Sequence, residues 1–108
     1  MSGTETVAVV AMTDAAFSSF MFDQKLRIFR SAKVQAVKDL LNTSTNYFTT
    51  EQIKALVGEG KDEVDKIAIA KLAYRKSVDP SNFYQVVELI PSASGKADVN
   101  AYITANRY

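Results

Sequence analysis

Apolar residues recur at helical spacing through most of this chain, and polar breaks divide the pattern into six segments. Thr13 fits an N-cap, with Phe17, Phe20 and Met21 following at helical spacing and a short turn reaching Asp23. From Gln24 to Leu41, the residues Leu26, Phe29, Ala36, Val37, Leu40 and Leu41 share one face. Arg27, Arg30, Lys38 and Asp39 lie away from that face, so the pattern predicts one long helix. Residues 42–46 are polar and break the pattern. Thr49 and Gln52 have the spacing of a capping box ahead of Ile53, Leu56 and Val57. Gly58 and Gly60 then end that helix, where glycine takes the left-handed cap conformation without penalty.

Residues 63–76 predict a helix with little polar circumference, since Val64, Ile67, Ala68, Ile69, Ala70, Leu72, Ala73 and Tyr74 crowd it. Such a helix belongs in the middle of a fold. Asp79 and Pro80 predict an N-cap and first position for a fifth helix, with Phe83, Val86, Val87 and Ile90 as its buried stripe and Pro91 as its stop. After a turn over residues 92–95, a last helix from about Lys96 to Asn106 turns Val99, Tyr102 and Ile103 inward. No strand pattern is present, and the reading is all-α.

The segments echo one another at a spacing of 30 residues: Thr49 aligns with Asp79, Ile53 with Phe83, Leu56 with Val86, Lys66 with Lys96, and Ile69 with Val99. A weaker copy starts at Thr13, with a tightened turn and a longer second helix. This period predicts a compact stack of three helical hairpins, about six helices, with the repeat in the second and third units. Residues 1–12 read as an N-terminal extension, either mobile or the beginning of the first helix, and 13–108 as a single helical domain.

Several stretches carry a family resemblance. They are Phe22-Asp23-Gln24-Lys25-Leu26, then Tyr47-Phe48-Thr49-Thr50-Glu51-Gln52-Ile53, then Ala70-Lys71-Leu72-Ala73-Tyr74 with Val78-Asp79 and Asn82-Phe83-Tyr84. Gly95-Lys96-Ala97-Asp98-Val99 with Tyr102-Ile103 completes the set. Together they resemble domain of unknown function 4476, a small helical domain known chiefly from bacterial proteins, over roughly residues 17–103. The chain departs from the pattern at Gly58–Asp65, which is glycine-rich and charged where such proteins usually carry an aromatic-Asp turn. The resemblance implies a fold and transfers no catalytic residue.

Composition narrows the chemistry. The chain has 108 residues, a net charge of +1, and no Cys, His or Trp. Without His or Cys there is no imidazole base, no thiolate nucleophile and no Ser-His-Asp site, and no enzymatic activity or cofactor is expected. The balanced charge argues against nucleic acid as a partner. No run reaches the ~20 apolar residues of a membrane span. As written the sequence has no signal peptide and reads as cytoplasmic; a trimmed form would fit an envelope or secreted location.

The acids Glu59, Asp62, Glu63 and Asp65 lack the spacing of a calcium loop and read as helix-start acids. Lys25, Lys66 and Lys96 share a slot in each hairpin and read as stems covering its seam. The candidate interaction surface comprises Tyr47 and Tyr84 at hairpin entries, Arg27 and Arg30 on the second helix, and Lys71 and Arg75 on the fourth. The expected function is a non-enzymatic protein-interaction module. The alternative is a small-ligand or lipid-binding domain with a pocket between helices, lined by residues such as Met21, Phe29 and Leu40.

Overall fold

Six α-helices joined by short turns make up the computed structural model, which describes residues 9–107. They are α1 (Asp14–Lys25), α2 (Arg30–Asn42), α3 (Thr50–Val57), α4 (Glu63–Tyr74), α5 (Tyr84–Val87) and α6 (Ala93–Ala105). A 3-10 turn over Pro80–Asn82 leads into α5. Residues 1–8 of the expected N-terminal extension lie outside the described residues, as does Tyr108, and residues 9–13 carry no helix.

Side-chain caps start four of the helices. The Thr13 hydroxyl accepts from the Ala16 amide at 3.2 Å, and Asp62 Oδ1 accepts from the Asp65 amide at 3.0 Å. Thr49 and Gln52 form the reciprocal capping box that their spacing predicts, at 3.1 and 2.9 Å. Ser92 caps α6 through the Gly95 amide at 2.9 Å, so that helix begins at Ala93 rather than near Lys96. The predicted turn over residues 92–95 is therefore the cap and first turn of α6.

Other expectations change. The helix predicted from Gln24 to Leu41 is interrupted: α1 runs to Lys25 and α2 starts at Arg30. The extra length of the first hairpin thus sits in α1, not in its second helix. No described glycine has positive φ, and Gly58 is right-handed helical at φ −61°. Gly60 is required for space instead, because a Cβ there would lie 2.9 Å from Lys66 Cγ and 3.0 Å from the Lys66 amide nitrogen. Val64, expected in the core, is exposed.

The body measures 50 × 32 × 18 Å. α4 packs against α2, α3 and α6, the central place its apolar circumference predicts. Ala70 and Ala73 on α4 are fully buried, and small side chains there bring neighbouring axes close. Val37, Phe48, Ile53, Leu56, Ile69, Phe83, Val86, Ile90 and Val99 complete the buried centre. Tyr74 meets Phe83 edge-on, with ring centroids 5.2 Å apart, which joins α4 to the start of α5.

Three connectors, each just ahead of a helix or turn, lie side by side. The Met12 amide donates to the Tyr47 carbonyl at 2.7 Å. The Phe48 amide donates to the Lys76 carbonyl at 2.8 Å, and the Val78 amide returns a bond to the Phe48 carbonyl at 2.9 Å. The latter two make an isolated parallel bridge between Phe48 and Ser77. Gln52 Nε2 adds a bond to the Met12 carbonyl at 2.8 Å.

Asp79 works across this layer. Its side chain does not cap its own turn as the sequence suggests. Oδ1 instead accepts from the Thr50 amide at 2.9 Å and the Thr50 hydroxyl at 3.0 Å, while Oδ2 accepts from Asn82 Nδ2 at 3.0 Å. An acid from the third hairpin therefore satisfies an orphan amide at the start of α3. Burial pushes the Asp79 carboxyl up, but the hydrogen bonds from Asn82, Thr50 and Ser77 outweigh it and hold it below the ordinary carboxylate range.

Replacing Asp79 by Ala strands the buried Thr50 amide and leaves the Thr50 hydroxyl only its longer bond to the residue 79 carbonyl, at 3.4 Å. The expected loss is about 2 kcal/mol in denaturant unfolding at neutral pH. Asp79→Asn keeps an acceptor for Thr50 and loses less. Because the folded carboxyl titrates below its unfolded value, its contribution is present above that value and fades as pH falls through the folded one. Unfolding curves for wild type and Asp79→Asn should accordingly converge as the pH drops below about 4.

Candidate functional site

α1 and α3 both start from the paired connectors, but α1 has 12 residues and α3 has 8. At 1.5 Å per residue α1 is the longer by about 6 Å, one helical turn.

Local chemistry fixes how α1 ends. The Leu26 amide donates to the Asp23 carbonyl at 3.1 Å and the Arg27 amide to the Gln24 carbonyl at 3.2 Å, which tightens the last turn and stops the helix. Gln24 is only 2% exposed. Its Nε2 donates to the Phe20 carbonyl at 2.9 Å, and its Oε1 accepts from Arg27 Nε at 3.0 Å. Phe29 then opens α2 with no side-chain cap.

Every residue from Lys25 to Ser31 is exposed as a result. Leu26 is 68% exposed, Ile28 89% and Phe29 71%. Phe22, one turn earlier on the face of Leu26, is 60% exposed. The helical pattern predicts Leu26 and Phe29 in the core and does not mark Phe22 or Ile28 as surface residues. The signal was present: a helix continuous through Val34, Val37 and Leu41 would put Ile28 on the opposite side from those buried residues.

The same segment gathers charge. Between Asp23 and Asp39 the chain carries Lys25, Arg27, Arg30, Lys33 and Lys38 and no acid. The whole chain has 13 basic and 12 acidic residues, so outside this segment eight cations face twelve acids. The near-neutral total conceals a cationic segment over residues 24–38, flanked by Asp23 and Asp39.

Of the residues marked from sequence, Arg27 and Arg30 sit at this tip. Tyr47 and Arg75 meet elsewhere, beside an open concavity of about 370 Å³ that Val9, Ser77, Val78 and Pro80 also line. Lys76 Nζ stands 4.6 Å from the centre of the Tyr47 ring and donates to the Thr43 and Ser44 carbonyls at 3.0 and 3.2 Å. Burial holds that ammonium below the ordinary lysine range. Lys71 pairs with Asp98 at 2.9 Å and lies 5.9 Å from the Tyr102 ring, which ties α4 to α6. Tyr84 is 60% exposed at the start of α5 and is not among the residues lining the concavity.

Lys66 and Lys96, of the shared slot, donate to the carbonyls of Gly60 and Ile90, each in the turn before its own helix. Lys25 is exposed. Among the acids, Asp65 Oδ2 accepts from the Lys61 amide at 3.2 Å and Glu63 Oε1 from the Ser92 amide at 2.7 Å. The bonds from Ser92, with help from the Lys96 charge, hold the Glu63 carboxyl low.

The family model described as Domain of unknown function (DUF4476) matches residues 11–103. No curated protein and no solved structure matches the chain.

If the tip contributes nothing to the core, Ile28→Ser and Phe29→Ser should each change folding stability by no more than about 0.5 kcal/mol. Ile69→Ala, in the buried centre, should lose about 2–5 kcal/mol in the same urea titration. A large loss from either serine variant would mean that the tip is packed.

Proposed function

The chain belongs to the DUF4476 family, and from that premise we propose that it is a non-enzymatic interaction module that binds through the turn between α1 and α2. The observation behind this reading is the exposure of Phe22, Leu26, Ile28 and Phe29 together at one end of the first hairpin. Four large apolar side chains in water at one place mark a surface that another molecule covers. The rest of the fold gives no structural reason for them, because the core closes without them.

The residues at the tip suit binding rather than reaction. They are apolar or cationic, and the chain offers no His or Cys to act as base or nucleophile. The sequence led us to a protein as the partner, with a ligand held between helices as the alternative. Phe29 bears on that choice: it faces solvent instead of walling an inner pocket, while Met21 and Leu40 pack against the core. Binding on the outside of the first hairpin is therefore the better-supported form.

A photo-reactive residue at Ile28, introduced in the cells that make the protein, tests this. A discrete adduct is expected at Ile28 and none at Val64, an equally apolar exposed position on α4. The adduct should disappear when Leu26 and Phe29 are replaced by Ser. Equal labelling at both positions would defeat the assignment of the tip as the working surface.

A further inference from the structure

We infer that the surface covered by the α1–α2 turn is an anionic lipid bilayer, which the tip enters to the depth of its apolar side chains. This rests on the tip being the working surface and names what it touches. Three observations point to lipid.

The first is shape. Ile28 is 89% exposed and Leu26 and Phe29 about 70%, so they project from a convex turn. The concavity beside Tyr47 and Arg75 is lined by other residues than those of the tip. A convex apolar knob needs a matching socket on a protein, but a bilayer interface receives it without one.

The second is charge. Lys25, Arg27 and Arg30 alternate with the apolar residues, Lys33 and Lys38 follow on α2, and no acid lies between Asp23 and Asp39. Cations interspersed with apolar side chains bind headgroup phosphates, while their aliphatic stems stay against the acyl boundary. The excess of acids elsewhere would be repelled by the same anionic surface, which orients the molecule tip-first.

The third is support. Arg27 Nε donates to Gln24 Oε1 at 3.0 Å, and Gln24 is buried, which tethers the guanidinium to the body next to the apolar group. No helix of the described residues is long and apolar enough to cross a membrane. The contact inferred is therefore peripheral, and every side chain it uses lies within residues 22–38.

The chain has no tryptophan, so Phe29→Trp supplies a single fluorescent reporter at the tip. With vesicles of about one-third phosphatidylglycerol in phosphatidylcholine, its emission should shift to the blue and be quenched by brominated acyl chains. Raising salt from about 0.1 to about 0.5 M should weaken the binding about tenfold or more. In the same reporter, Arg27→Glu with Arg30→Glu should abolish the shift, and Ile28→Ser should reduce it with circular dichroism unchanged. No shift on anionic vesicles, or an equal shift on pure phosphatidylcholine, overturns the inference. A protein adduct at Ile28 in cells without vesicle binding overturns the lipid but leaves the tip as the working surface. Failure of both experiments removes the two together.

Discussion

Backbone pairing among three connectors is the constraint from which the rest of this structure follows. Phe48 is fully buried, and both its amide and its carbonyl bond to the segment from Lys76 to Val78. Left unpaired, those groups would be buried polar atoms without partners, at about 1–3 kcal/mol each. Met12 joins the same layer through Tyr47 and Gln52. The pairing sets the starts of α1 and α3 side by side and brings Asp79 within reach of the Thr50 amide. The last turn of α1 buries only Gln24, while Phe22, Leu26 and the turn into α2 remain in water.

The sequence showed the features that depend on neighbours close along the chain. The Thr49–Gln52 capping box, the cap at Thr13 and the central place of α4 follow from spacing within one or two turns. What escaped depends on contacts distant in sequence. Asp79 looked like the cap of its own turn, since an acid before Pro is a common start, yet its carboxylate serves α3 across 29 residues. Gly60 looked like a left-handed stop, but its lack of a side chain is what Lys66 requires. In both cases the residue type was informative and the local explanation was wrong.

The tip shows the same limit in a different form. Leu26 and Phe29 do fall on a stripe with Leu40 and Leu41, so periodicity alone favours one continuous helix. The break comes from Gln24, whose amide is buried against the Phe20 carbonyl and whose oxygen draws in Arg27. A buried glutamine near a helix end is invisible to a hydrophobic pattern, which counts it as polar and outward. The candidate site was thus half legible. Arg27 and Arg30 were marked by charge, while their apolar companions were assigned to the core by the same reasoning that placed Val37 and Leu41 there correctly.

The connector layer and the exposed apolar tip consequently lie at opposite ends of the first hairpin. At 1.5 Å per residue, the 12 residues of α1 place the tip about 18 Å from the connector layer. Substitutions that far apart, with no shared partners, act independently. Gln24 links the tip to the body: it is buried and also accepts from Arg27 at the tip. Its replacement by Leu would preserve bulk and burial while removing the Arg27 bond and leaving the Phe20 carbonyl to its helical partner alone. A change at Gln24 therefore separates placement of the tip from its composition. The apolar and cationic residues would all remain, and only the turn that presents them would loosen.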